Sequence, residues 1–220
     1  MKARPGVKWV VLLLCGTALT TAPSAPYRAE QTPPALQISS PTAGTLVNAG
    51  QTISVTVTSP AGTTFAYIAI EGPGGPIGSN TSVPATFSLT IPFNISPRTY
   101  TLGAVGRPSA GPAVFSKAVP IAVERADQPT RLSNDVSTIP FRGPGDVAHL
   151  RISGTFADGT NLNVTESGYM SFSSLNAAVV TVSAKGFVKA VGPGRTVITA
   201  TYGQGPKAYI PVSVGSGPIP

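Results

Sequence analysis

The chain has 220 residues, of which only 10% are charged and 41% hydrophobic; its 24 glycines and 23 prolines stop short of the ~25–30% that marks a disordered, low-complexity chain. Thr, Ser, Val and turn formers take the place of Lys and Glu, which favours strands over helices and predicts an all-β fold. The formal charge of +7 is spread over isolated residues with no Lys/Arg run interleaved with aromatics, so a nucleic-acid surface, which needs clustered cations, is excluded from the expected partners.

The first segment reads as an address. Lys2, Arg4 and Lys8 precede an apolar run over 9–20, and the small-residue stretch Thr21-Ala22-Pro23-Ser24-Ala25-Pro26 follows it. A basic start, a short apolar middle and a small-residue exit are the three parts of a secretory signal peptide. The run is shorter than the ~20 residues of a membrane span. Cleavage after Ser24 places Ala22 and Ser24 in the small-residue positions, which gives a signal peptide over 1–24 and a disordered lead over 25–34. Cys15 raises the alternative of an acylated lipoprotein cysteine. Leu14 stands where such a cysteine needs a small residue, so Cys15 is read as part of the apolar run. The mature chain is then left without cysteine, with 12 basic and 8 acidic residues, and no transmembrane segment is expected in it.

A first β-sandwich is expected over 35–126. Residues 52–58 alternate, with Ile53, Val55 and Val57 on one face. Residues 65–70 form another strand, ended by Gly72-Pro73-Gly74-Gly75-Pro76. Phe87, Leu89 and Ile91 share a face, as do Tyr100, Leu102 and Ala104, and Val119, Ile121 and Val123 close the unit. The stretch FSLTIPFNISPRTYTLGAVG (87–106) resembles fibronectin-III-like and other bacterial Ig-like repeats. Arg125-Ala126-Asp127-Gln128-Pro129 reads as a short polar linker that restricts the two halves to modest flexing. Asp127 there is expected to keep the linker soluble, with a calcium site between the halves as the alternative.

Residues 127–215, followed by a tail over 216–220, form the second unit. Leu150, Ile152 and Phe156 alternate onto one face before an Asp158-Gly159 turn. Strands are predicted over 169–175, 179–182, 187–191, 195–202 and 208–214, with Lys185-Gly186 and Gly192-Pro193-Gly194 as turns. The order of Ser173-Ser174-Leu175-Asn176, Val179-Val180-Thr181-Val182, Gly186-Phe187-Val188 and Gly194-Arg195-Thr196-Val197-Ile198-Thr199-Ala200 closely resembles the group-two bacterial immunoglobulin-like domain of intimin- and invasin-type surface proteins. Phe156-Ala157-Asp158-Gly159-Thr160 fits the same family, and Met170 or Phe172 stands where many members carry Trp. The resemblance implies a sandwich, surface display and contact with cells or proteins. On physical grounds, Gly186 and Gly194 are expected at φ > 0, and Ile198 and Ala200 inward opposite Val180 and Val182.

A search for catalytic groups returns none. His149 is the one histidine and lies on the strand face opposite Leu150, where a solvent-facing role is expected. No Gly-x-Ser-x-Gly elbow or Asp-x-Asp-x-Asp run occurs. The Gly72-Pro73-Gly74-Gly75-Pro76 turn lacks the Lys and helix of a phosphate loop. No catalytic residue, cofactor or metal ligand is therefore assigned. The expected protein is an exported, monomeric, non-catalytic structural or adhesive module at the bacterial envelope or outside the cell, with a protein or polysaccharide ligand. The alternative is a carbohydrate-binding module, or an accessory subunit of a secreted assembly pairing through edge strands. Its ligand contacts would be exposed tyrosines, Tyr202 and Tyr209 foremost, with Tyr67 and Tyr169 also available.

Overall fold

The structure is a computed structural model that describes residues 36–60 and 63–217. The segments read as signal peptide and lead, with Cys15, lie outside the described residues. The described residues contain strands and turns but no helix, and they belong to one compact unit.

The first half runs β1 (Gln37–Ser40), β2 (Thr45–Asn48), β3 (Thr52–Thr58), β4 (Phe65–Gly72), β5 (Gly75–Asn80), β6 (Ala85–Thr90), β7 (Arg98–Pro108), β8 (Val114–Phe115) and β9 (Val119–Glu124). One sheet has the order β1-β3-β6. The other has the order β2-β9-β7-β4-β5, with β8 added on β7. Val55, Val57, Ile68, Ile70, Leu89, Ile91, Leu102 and Ile121 are all buried between them. The alternation that put Val55 and Val57 on one face thus decides which side of β3 meets the core.

The second half runs β10 (Arg131–Asn134), β11 (Ile139–Phe141), β12 (Val147–His149), β13 (Ile152–Thr155), β14 (Asn161–Asn163), β15 (Met170–Ser174), β16 (Val180–Val182), β17 (Phe187–Ala190), β18 (Gly194–Tyr202) and β19 (Lys207–Val214). A four-stranded sheet of order β11-β19-β18-β15 faces two three-stranded sheets, β10-β13-β14 and β12-β17-β16, across a second core. Ile198 and Ala200 come from the four-stranded sheet and Val180 from the sheet facing it. All three are fully buried, while Val182 is partly buried against the same core. Met170 is buried in this core and Phe172 packs against it. The single strand expected before Asp158-Gly159 is split. β12 pairs with β17, the chain breaks at Leu150 and Arg151, and β13 then pairs with β10 and β14. Leu150, Ile152 and Phe156 nonetheless all point into the core.

Both halves use one device at their start. An early strand pairs antiparallel within one sheet, and the next crosses to lie parallel to the last strand of the other. β2 runs beside β9 with Val47 opposite Val123, and β11 runs beside β19 with Ile139 opposite Val212. In the first half the Tyr100 hydroxyl donates to the Ser96 carbonyl at 3.0 Å. This return to the backbone just upstream, at the entry to a late strand, is the tyrosine corner that recurs in Ig-type sandwiches.

Candidate functional site

A buried polar cluster sits where β9 leaves the first sandwich. Glu124 and Arg125, in consecutive positions, are only 3% and 4% exposed. Burying a carboxylate and a guanidinium is costly unless each is fully engaged. Glu124 reaches into the second half, where its carboxylate accepts from the Ser167 hydroxyl at 2.7 Å and from the Gly168 backbone N–H at 2.6 Å. Ser167 in turn accepts from the Tyr169 N–H at 3.1 Å, so the loop before β15 is shaped around this carboxylate.

Arg125 binds in both directions along the chain. Its Nε and Nη2 donate to the two oxygens of Asp127 at 2.7 and 2.9 Å, and Nη2 also donates to Asp158 Oδ2 at 3.1 Å. The guanidinium carbon lies 4.1 Å from the centre of the Phe93 ring in the first half and 4.4 Å from that of Phe156 in the second. A planar, weakly hydrated cation is suited to this combination of forked hydrogen bonds and aromatic faces. The Asp158-Gly159 turn aims the carboxylate: Gly159 N–H donates to the Phe156 carbonyl and Thr160 N–H to Asp158 Oδ1.

The charges respond accordingly. Hydrogen bonds to Asp127 first, then to Asp158, hold the Arg125 pKa above its ordinary value against the opposing effect of burial. Asp127 is held below its ordinary value chiefly by Arg125. Asp158 is also lowered, first by Thr160 and then by Arg125. Residues 125–129 are therefore more than a polar tether. Asp127 gives both oxygens to Arg125, and among the described residues no group of three or more His, Cys, Asp or Glu is arranged to hold a metal ion.

Beside this lock lies a groove of about 430 Å³ lined by residues of both sandwiches and the segment joining them, among them Asn48, Arg125, Gln128, Tyr169 and Tyr202. Tyr202 corrects the expectation that it is an exposed ligand contact, being only 1% exposed. It lies on β18 in the inward register of Ile198 and Ala200, so its ring belongs to the core. Burial raises its phenol pKa. The nearby Ser167 hydroxyl pulls it partly back without making a hydrogen bond of good geometry. Tyr209 is exposed on β19 with Thr199 opposite it, Tyr67 is exposed on β4, and Tyr169 is half-exposed with its ring 5.7 Å from Tyr202 at a 54° tilt. The Tyr169 and Tyr202 rings are thus neither coplanar nor both exposed. His149 is exposed, stacks on Phe187 at 4.3 Å and pairs through Nε2 with the Lys185 carbonyl at 2.9 Å.

Sequence reasoning placed Asp127 in a linker and Asp158 in a turn and did not see what they share. The signal available was an Arg with Glu before it and Asp two residues after it, at the end of a closing strand.

The chain resembles several solved structures. Fibronectin(III)-like modules of Clostridium thermocellum CbhA share 28% identity over 40% of this chain and 93% of that one, with a TM-score of 0.35. Domains 4 and 5 of the S-layer protein SbsC share 17% identity over 84% of this chain and 98% of that one, also with a TM-score of 0.35. The insect immune protein hemolin shares 13% identity over 86% of this chain and 48% of that one, with a TM-score of 0.31. No curated protein matches the chain. Residues 150–212, from the break before β13 into β19, match the model of the bacterial Ig-like domain, group 2.

Proposed function

We propose that the chain is an exported, non-catalytic structural or adhesive module, working at the bacterial envelope or outside the cell, whose two sandwiches hold a fixed span. The observation that carries this reading is the buried Glu124–Arg125 pair, which ties the end of β9 to Ser167, Gly168, Asp158 and Phe156 of the second sandwich. A flexible tether supplies reach but no defined geometry. A junction that buries two charges and hydrogen-bonds both across the boundary limits the independent motion that tandem domains otherwise show. The leader at 1–24 and the group-two Ig-like match over 150–212 support a place outside the cytoplasm. Among the described residues no helix is long and apolar enough to cross a membrane.

The test has two parts. Expressed in a bacterium, the full chain is expected to leave the cytoplasm with its mature N-terminus near Ala25, read by intact mass after fractionation. Nuclear relaxation and residual dipolar couplings on the exported protein are expected to fit one diffusion and alignment tensor for both sandwiches. Uncleaved protein in the cytoplasm overturns the export reading, and two independent tensors overturn the fixed span.

A further inference from the structure

The groove at the junction contains more hydrogen-bonding capacity than the lock uses. Arg125 Nη1 and Tyr202 Oη, both on side chains more than nine-tenths buried that line the groove, make no hydrogen bond among the described residues. Leaving such donors unmet in a low-dielectric site is costly, and native proteins rarely do so without a ligand or ordered water. The rest of the lining is of a different kind. Asn48 from the first sandwich and Gln128 from the joining segment expose amides, Asp127 offers carboxylate lone pairs, and the Tyr169 ring is 46% exposed. The volume of about 430 Å³ falls in the range of small-ligand sites, about 300–1,000 Å³, which favour domain boundaries.

We infer that this groove binds a neutral sugar, one or two rings of an oligosaccharide laid against Tyr169. A sugar hydroxyl both accepts and donates, so it meets the unpaired Arg125 and Tyr202 donors and the Asp127 and amide acceptors together. The apolar face of a pyranose ring suits the exposed face of Tyr169. Charge selects against an acidic glycan: Asp127 and Asp158 both face the single Arg125, whose Nε and Nη2 are already taken. In the free protein both donors are covered. Gln128 is exposed, and its Oε1 lies so close to Gly205 that a Cβ there would come within 2.7 Å. Entry of the ligand requires Gln128 to move off this turn next to Tyr202.

This goes beyond a fixed span and can fail independently of it, because relaxation data report the span and a titration reports the site. The exported protein, labelled with ¹⁵N, is titrated with cellotetraose, maltotetraose, chitotetraose and tetragalacturonate up to about 10 mM, a range that detects the weak end of specific binding. At least one neutral tetrasaccharide is expected to shift the amides of Arg125, Gln128, Tyr169 and Gly203 saturably, and the uronate is not. Tyr169→Ala is expected to weaken that binding about tenfold or more, Asn48→Ala by a smaller factor, and Tyr209→Ala to leave it within about twofold. Thermal unfolding of each variant checks that the fold is kept, and Asn48→Ala, altering an exposed side chain, stands in if Tyr169→Ala does not fold. The proposal is overturned if none of the three neutral sugars moves the junction amides, if the uronate binds more tightly, or if binding follows Tyr209 instead.

Discussion

The two sandwiches share a plan, and one strand entry in each is fixed by a different device. Each sends an early strand across to lie parallel to its last strand, and each fills its core with alternating Val, Ile and Leu. In the second, the turn before β17 depends on Gly186, at φ 77°, where a Cβ would also meet Thr165 Cγ2 at 2.9 Å. In the first, the entry to β7 is held by the Tyr100 hydroxyl on the Ser96 carbonyl. A Cβ at Gly186 is therefore disfavoured by both φ and space. A hydroxyl returning to a backbone carbonyl asks nothing of the side chain at Ser96, and the surrounding residues are free to vary. Left-handed glycines are not peculiar to the second half, since Gly50 and Gly74 of the first stand at φ 82° and 101°, and the group-two Ig-like match covers 150–212.

The sharpest way to break the comparison is to hollow out each core in turn. Ile198→Ala in the second sandwich and Leu102→Ala in the first remove fully buried side chains. Each is expected to cost about 2–5 kcal/mol, the span depending on how far the site collapses. Amide hydrogen exchange resolved by residue is expected to show the loss concentrated in the sandwich that carries the substitution. Equal loss in both halves from either change would mean that the two cores open as one, and the picture of two cores joined by a lock would be wrong.

Arg125→Ala addresses the lock itself. It removes the forked bonds to Asp127, the bond to Asp158 and the contacts with Phe93 and Phe156 together. Breaking a buried ion pair commonly costs 3–5 kcal/mol because a charge is stranded. Here both carboxylates stay within reach of water, so about 2 kcal/mol is expected. The signature is a separation of the two alignment tensors with each sandwich still folded. A variant that keeps a single tensor would assign the fixed span to Glu124 and its two hydrogen bonds.

How much of this was legible follows from the period of the signal. Strand faces read correctly because side chains alternate: Val55, Val57, Leu89, Ile91, Ile198 and Ala200 are all buried as their spacing requires. The same rule, applied fully, puts Tyr202 inward with Ile198 and Ala200, and its assignment as a surface contact failed for neglecting that parity. The break after His149 left no mark, since the chain keeps its inward parity through Leu150 and Ile152 while changing sheets. The lock was not legible either. Its members lie at 93, 124–127, 156–158 and 167–168, and only the fold brings them together.

A smaller contrast tests the two turn devices. Gly186→Ala is expected to cost about 2 kcal/mol, from the left-handed backbone and the crowding at Thr165 combined. Tyr100→Phe keeps the ring and deletes one hydrogen bond at a half-buried site, for about 1 kcal/mol. Chemical denaturation of the two variants checks the order. A larger loss from Tyr100→Phe would show that the corner, and not the glycine turn, is the stricter constraint.

The least disruptive probe is acid. Asp127 and Asp158 both titrate below their ordinary value of 3.8 in the folded protein. Their support for the junction is therefore complete above that value and is lost as pH falls through the lower, folded values. Arg125, whose pKa is raised, stays charged throughout this range and contributes no titration of its own. Because both carboxylates are half-exposed, protonating them is expected to weaken the junction less than removing Arg125 does. Dipolar couplings recorded from about pH 6 to about pH 2.5 are expected to hold to one tensor until below 3.8 and then to separate. The Arg125→Ala protein, lacking the cation those carboxylates face, is expected to show separated tensors with no step in that window. Separation beginning near pH 5 or above in the unaltered protein would place control of the junction on a group other than these two aspartates.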